Sequence, residues 1–309
     1  MEVVYQNSTT CRLCGSQHLV EEYKNITDAH NSVKDTFSIL HCNDCGFHFT
    51  NPMVTNKDLG FLYEGHYFGI DNKFSFFEKL YRFDQYRYDY GVFSKYFTPD
   101  MKMLDYGCGD GTRVEFLRNK GHDVIGIDEF DLITTEEVDK SNFIIANPLD
   151  YIPTEKVDVV FMYHVLEHLR ELKEHLAHIK NNYLKKGGYI IIQVPNVGCW
   201  QFKKHHDNHT LFDVPRHFWH FNKQSIRYLF EQNGYAVKNV NCKNSILHPS
   251  TVLNSVFKFD IRKEWQKPNP SKLMIHAKFG LFCMLSLPVI AYENLNDDSP
   301  ILNCIAQNI

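Results

Sequence analysis

The sequence predicts an α/β fold: a parallel sheet with helices on both faces, preceded by a small metal-binding module. Three observations carry that prediction. Short apolar runs at 103–106, 124–128, 143–145, 157–162 and 189–194 alternate with amphipathic segments, the pattern of strands joined by crossover helices. The first run ends in Asp105 and passes into a glycine-rich turn, Gly107-Cys-Gly-Asp-Gly111, followed by a helical segment with Val114, Phe116 and Leu117. Two Cys-x-x-Cys pairs stand near the N-terminus.

Those pairs, Cys11-Arg-Leu-Cys14 and Cys42-Asn-Asp-Cys45, are separated by 27 residues. Each presents two thiolates from a knuckle, and together they complete a tetrahedral S4 zinc site. Short strands at 19–23 and 36–40 are expected between them. A module of this size (1–53) has little core, so metal supplies much of its folding energy, and a closed four-thiolate site is structural. A redox dithiol is the other reading. Nine cysteines without even spacing form no disulfide framework, which places the chain in the reducing cytoplasm. The opening Met1-Glu-Val-Val-Tyr-Gln-Asn has neither a basic region nor an apolar core, so no signal peptide is expected. A formal charge of −4 argues against broad nucleic-acid binding.

Residues 54–98 form an aromatic-rich helical linker. Phe76, Phe77, Leu80, Phe83 and Tyr86 share much of one helical face, which is expected to cover the main domain; Tyr63 and Tyr67 alternatively line the mouth of a site. The main domain spans 99–309. After its fourth strand, Leu166, Leu169, Leu172, Leu176, Ile179 and Tyr183 make one apolar stripe, closed by Lys185-Lys-Gly-Gly188 as a helix end. A helix near 223–233 and strands near 236–242 and 301–307 complete the pattern. Between the last two strands lies a hydrophobic segment, 272–292, interrupted by Lys278 and Pro288. It reads as a core or substrate-cap helix, with shallow membrane contact as the alternative.

The spacing G-x-G-x-G directly after Asp105, with a second strand ending in Asp128, resembles motif I of the class I S-adenosylmethionine (SAM) methyltransferases. The G-x-G-x-x-G of nicotinamide enzymes is spaced differently. The resemblance implies a Rossmann-like sheet of seven strands, the last inserted antiparallel. It implies cofactor contacts from Asp105, Tyr106, Gly107, Gly109 and Gly111, from Asp128 to the ribose, from Asn147 or Asp150 to the adenine, and from Tyr163.

After the fourth and fifth strands stand Tyr163-His-Val-Leu-Glu-His-Leu169 and Asp213-Val-Pro-Arg-His-Phe-Trp-His-Phe221. These are similar to segments of a methyltransferase group that contains ubiquinone-pathway O-methyltransferases and small-RNA 2′-O-methyltransferases. Some members bind a divalent metal through an E-x-x-E-H motif, whose first position here is His164. With His164 and His168 expected on one helical face, His164, Glu167, His168 and His217 are the candidate catalytic set. They act as general base and acceptor positioning, as metal ligands, or as structural caps. The zinc module joined to this domain is similar to bacterial sugar and small-molecule methyltransferases. The expected acceptor is therefore a small molecule, sugar nucleotide or glycan building block, methylated on oxygen. An RNA 2′-O-methyltransferase, and a zinc-ribbon scaffold with a vestigial SAM pocket, are the rivals.

Overall fold

The computed structural model describes residues 3–55, 59–63, 76–133, 138–205, 212–245, 250–259, 264 and 271–309. Tyr67, and the side chains of Phe76 and Phe77, lie outside the described part. The strands, in chain order, are β1 (Tyr5–Gln6), β2 (Leu19–Thr27), β3 (Thr36–Cys42), β4 (His48–Asn51), β5 (Met53–Val54), β6 (Lys102–Tyr106), β7 (Asp123–Asp128), β8 (Phe143–Ile145), β9 (Val157–Tyr163), β10 (Leu184–Pro195), β11 (Trp219–His220), β12 (Tyr235–Asn241) and β13 (Ile301–Asn308). The helices are α1 (Phe76–Phe93), α2 (Thr112–Arg118), α3 (Leu172–His178), α4 (Trp200–Lys204), α5 (Lys223–Gln232), α6 (Ser250–Ser255) and α7 (Lys272–Asn296).

Seven strands form one sheet in the order β12-β13-β10-β9-β6-β7-β8. The neighbours from β10 to β8 run parallel, and β13 is antiparallel to both β10 and β12. This is the Rossmann-like methyltransferase sheet. The central strands are continuous apolar runs because both faces are covered: Val159, Val160, Phe161 and Met162 are all buried in β9. Helix α5 starts in a capping box, with Asn222 accepting from the Ser225 amide and Ser225 accepting from the Asn222 amide.

A second sheet, β11-β4-β3-β2, joins the N-terminal module to the main domain. Its β11 belongs to the segment after α4, and Trp219 pairs with Phe49 across it. Phe47 stacks on Trp219 with ring centroids 5.4 Å apart, and Cys11, Cys42 and Cys45 share a core with Leu104 and Ile192. The module therefore does not rest on metal alone.

Three expectations are corrected. The stripe from Leu166 to Tyr183 is not one helix: it is a 3-10 turn (Leu166–His168), α3, and a π turn (Ile179–Tyr183). Lys185–Gly188 does not cap it. Those residues bulge within β10, where the pairing jumps from Leu184↔Val157 to Tyr189↔Val159, and Lys185 Nζ holds both oxygens of Asp158 at 2.9 Å. On α1 the buried face carries Gln85, Asp89 and Phe93, while Leu80 and Phe83 are about half exposed. Periodicity missed this because Asp89 is buried by a partner, Arg113, from another element.

Helix α7 differs most from expectation. It extends to Asn296, is long and apolar enough by composition to cross a membrane, and has only 17% of its most apolar window buried. It is no core helix.

Candidate active site

The glycine turn follows β6 as expected. Gly107, Gly109 and Gly111 all have positive φ, and the amides of Gly107 and Cys108 donate to the Ile127 carbonyl. At Gly107 (φ +77°) a Cβ would stand 2.6 Å from Val165 Cγ2, so only glycine lets the turn pack on the loop after β9. At Gly109 (φ +54°) a Cβ would meet nothing within 4 Å. The Gly109 amide donates to Asp128 Oδ2 at 2.9 Å, and Asp128 Oδ1 accepts from the Phe130 amide at 3.0 Å. Both carboxylate oxygens are thus aimed by backbone, with lone pairs left for ribose hydroxyls. Open space before Gly109 beside a fixed carboxylate fits SAM.

Asp105 is fully buried at the end of β6, and burial pushes its carboxyl up to about 7 against the pull of Arg113. The Arg113 guanidinium binds Asp89 at 2.9 Å and lies 3.3 Å from the Tyr163 ring centroid. Tyr163 therefore clamps an arginine from one side. The Tyr106 side chain turns to the opposite face from Asp105, where its hydroxyl bonds His175 Nδ1 at 2.5 Å and its ring packs on Tyr183, so a cofactor contact from this position falls to its backbone. Asn147 and Asp150 are exposed after β8, and Asn147 Oδ1 already accepts from the Leu149 amide.

A second polar cluster is assembled from three elements. Glu167 is withdrawn from solvent; its Oε1 meets His164 Nδ1 at 3.2 Å, and its Oε2 is buried without a partner. His164 has φ +54°, so it and His168 do not share a helical face, although His164 still reaches Glu167. His168 Nδ1 faces the Arg216 carbonyl at 3.2 Å, and its ring centroid is 4.6 Å from that of His217. Burial above all, with the neighbouring His168, His220 and His164 rings and Arg216 adding to it, lowers the His217 pKa well below the usual histidine range, so its ring is neutral. One donor atom each from Glu167, His168 and His217 lie within 4.8 Å of one another. Tyr63 stands beside them, its hydroxyl 3.4 Å from His168 Nδ1.

Sequence reasoning missed what holds this cluster. Arg216 is completely buried and bonds Asp213 Oδ1 at 2.7 Å and Asp28 Oδ1 at 2.5 Å. Asp213-x-x-Arg216 was a visible local signal, whereas Asp28 lies in the N-terminal module.

There, Cys11 Sγ and Cys45 Sγ are 3.6 Å apart, as are Cys14 Sγ and Cys42 Sγ, and all four sulfurs lie within 4.8 Å. Bonds of about 2.3 Å to a tetrahedral zinc place thiolates about 3.8 Å apart, so the set fits that ion. Gly15 and Gly46 close the knuckles, donating to the Cys11 and Cys42 carbonyls from positive φ.

A sheet of this order, with a glycine turn after β6 and a carboxylate closing β7, defines a class I SAM-dependent methyltransferase. Residues 79–240 match the family described as a methyltransferase domain, and the chain belongs to that family. Curated proteins yield no match. Solved structures similar to the chain include a SAM-dependent methyltransferase from Archaeoglobus fulgidus, with 18% identity over 75% of this chain and 97% of that one (TM-score 0.45). A SAM-dependent methyltransferase from Methanosarcina mazei has 16% identity over 71% and 98% (TM-score 0.45). One from Mesorhizobium loti has 12% over 71% and 97% (TM-score 0.45).

Proposed function

We propose that this methyltransferase transfers a methyl group to a hydroxyl of a small molecule or glycan building block, with sugar nucleotides the first class to test. The observation that carries the reading is Glu167, a carboxylate withdrawn from solvent with one oxygen unpartnered, beside His168 and His217. It stands two residues beyond Val165, which packs on the cofactor turn.

SAM, when bound, supplies an electrophilic methyl group for in-line displacement. Asp105, Gly107, Gly109 and Asp128 hold it. The remaining task is to align the acceptor oxygen and take its proton. The carbonyl of Arg216, 3.2 Å from His168 Nδ1, favours the tautomer with its proton on Nδ1, which leaves the Nε2 lone pair as the base. Glu167 orients the acceptor and balances the charge that develops on the ring, and His164 positions Glu167. A second reading is favoured by the same three donor atoms: a divalent ion held by Glu167, His168 and His217 would acidify the hydroxyl. Two imidazoles make that site softer than magnesium prefers.

The four thiolates hold a structural zinc and take no part in chemistry. The buried free thiols of Cys108, Cys199, Cys242 and Cys304 suit a reducing cytoplasm. The division into zinc module (1–53), helical linker (54–98) and methyltransferase domain (99–309) is the matching organisation.

Purified protein given methyl-labelled SAM and a panel of sugar nucleotides should place label on a hydroxyl. His168→Gln should lower turnover roughly 10²–10⁴-fold while SAM affinity stays within about twofold. Inhibition by a chelator that leaves the cysteine-bound zinc in place selects the metal reading. Label on nitrogen acceptors alone, or full turnover in His168→Gln, overturns the proposal.

A further inference from the structure

Helix α7 has two faces of different character. The inner one, with Ile275, Phe282, Ser286, Ile290 and Glu293, packs on the protein, and Glu293 accepts from Trp200 Nε1 at 2.8 Å and Gln201 Nε2 at 2.5 Å. The outer face exposes Leu273, Met274, Leu281, Met284, Leu285 and Leu295, each by about half or more. Among the described side chains, Lys278 is the one charged residue that falls among them. A water-facing surface of this kind carries the wrong residues for water.

The flanking sequence gives the second observation. From 258 to 278 the chain carries Lys258, Arg262, Lys263, Lys267, Lys272 and Lys278 against Asp260 and Glu264, although the whole chain has a formal charge of −4. An apolar helix face preceded by a cationic segment complements an anionic lipid surface, where apolar side chains enter the acyl boundary and cations meet headgroups. The inner face is anchored through Glu293, so the outer half of α7 is the part left to meet such a surface.

The third observation is position. Strands β12 and β10 point the same way, since both are antiparallel to β13. The chain leaves β12 and re-enters β13 at the edge where β10 ends, with Pro195 opposite Ile301 and the Asn196 amide bonded to the Pro300 carbonyl. That is the carboxyl edge of the sheet, which also holds the glycine turn and the Glu167 cluster.

We propose that the outer face of α7 binds an anionic lipid bilayer and brings the carboxyl edge of the sheet to the membrane surface. Binding is read without acceptor or methyl transfer, so it stands or falls separately from the hydroxyl acceptor proposed above.

The full chain is sedimented with vesicles of phosphatidylcholine, with and without phosphatidylglycerol. Wild type should pellet with the anionic vesicles, less so at high salt and with neutral ones. Met284→Glu/Leu285→Glu should weaken partitioning roughly a hundredfold, because two buried side chains are lost from the lipid. SAM titration of the variant, expected unchanged, reports its fold; Leu281→Ser/Met284→Ser is the gentler substitute should it fail to fold. Wild type remaining in the supernatant with both vesicles overturns the proposal. So does equal partitioning of a folded variant, or a lipid-free dimer by light scattering that the variant converts to monomer, which assigns the face to a second copy.

Discussion

Asp105 concentrates the electrostatics of the cofactor side in one group. Burial raises its carboxyl to about 7, with Arg113 pulling the other way and Asp128 and Asp110 adding to the rise. The native pKa exceeds the ordinary value of 3.8, so between about pH 4 and 7 the folded protein keeps a proton that the unfolded chain has released. Asp105 thus favours the folded state at low pH, and that contribution is lost as pH rises through the window. A bound cofactor with a cationic ammonium and sulfonium favours the carboxylate. SAM binding near pH 7 should therefore release up to about half a proton, seen as a dependence of calorimetric enthalpy on the ionisation enthalpy of the buffer. Asp105→Asn should remove the dependence; its persistence would assign the proton elsewhere. The strand-end places of Asp105 and Asp128 and the turn at Gly109 were legible in the sequence because their signal is local, a strand end and a fixed spacing. Asp89 and Arg216 were not, since each is buried by a charge from a distant segment.

At the scale of elements, the strands were the readable part. Runs at 103–106 and 124–128 announce strands covered on both faces, and β6 and β7 begin within one residue of them. The segment from Leu166 to Tyr183 misled because a period of three to four is kept by a 3-10 turn, an α-helix and a π turn in succession. The bulge at Lys185–Gly188 in β10, with the ion pair of Lys185 to Asp158 beside it, has no periodic signature. The cysteine knuckles were legible from spacing, yet their energetic reach was not. Because β4 pairs with β11 and Phe47 packs on Trp219 and Phe221, a zinc held by the four cysteines would brace an edge of the main core as well as the module. Cys45→Ser should drop zinc below one ion per chain by atomic absorption. The midpoint of thermal unfolding should fall by roughly 10 °C or more, several kcal/mol of metal-linked folding energy. An unchanged midpoint with zinc absent would show that the shared core holds the module unaided.

For the whole molecule, the buried charges decide how the zinc module and the methyltransferase sheet are joined. Composition divides the chain near 53 and 98, but a common sheet and a common core cross the first boundary. The deepest link is Asp28 with Arg216, 188 residues apart. Asp28 is itself fixed by the amides of His30, Ser32 and Val33, and Arg216 also donates to the Leu62 carbonyl. Since the Arg216 carbonyl faces His168, this link ties the module to the Glu167, His168 and His217 cluster. Asp28→Ala takes one carboxylate from the fully buried guanidinium and leaves the Asp213 contact at 2.7 Å in place. The loss should be about 3–5 kcal/mol, read as a lower thermal midpoint. Asp28→Ala/Arg216→Met removes the buried cation together with that partner and leaves Asp213, which is partly exposed and 3.5 Å from His30, so it should recover part of that stability, because the cost lies in the under-compensated buried guanidinium and not in the missing contact. SAM affinity should stay within about twofold in both variants, since Gly109 and Asp128 draw their geometry from β6 and β7. Turnover, once an acceptor is in hand, should fall in both, because neither restores the native path of the chain at Arg216. A double variant as unstable as Asp28→Ala would show that Asp28 acts through its loop, and that charge pairing is not what joins the two parts.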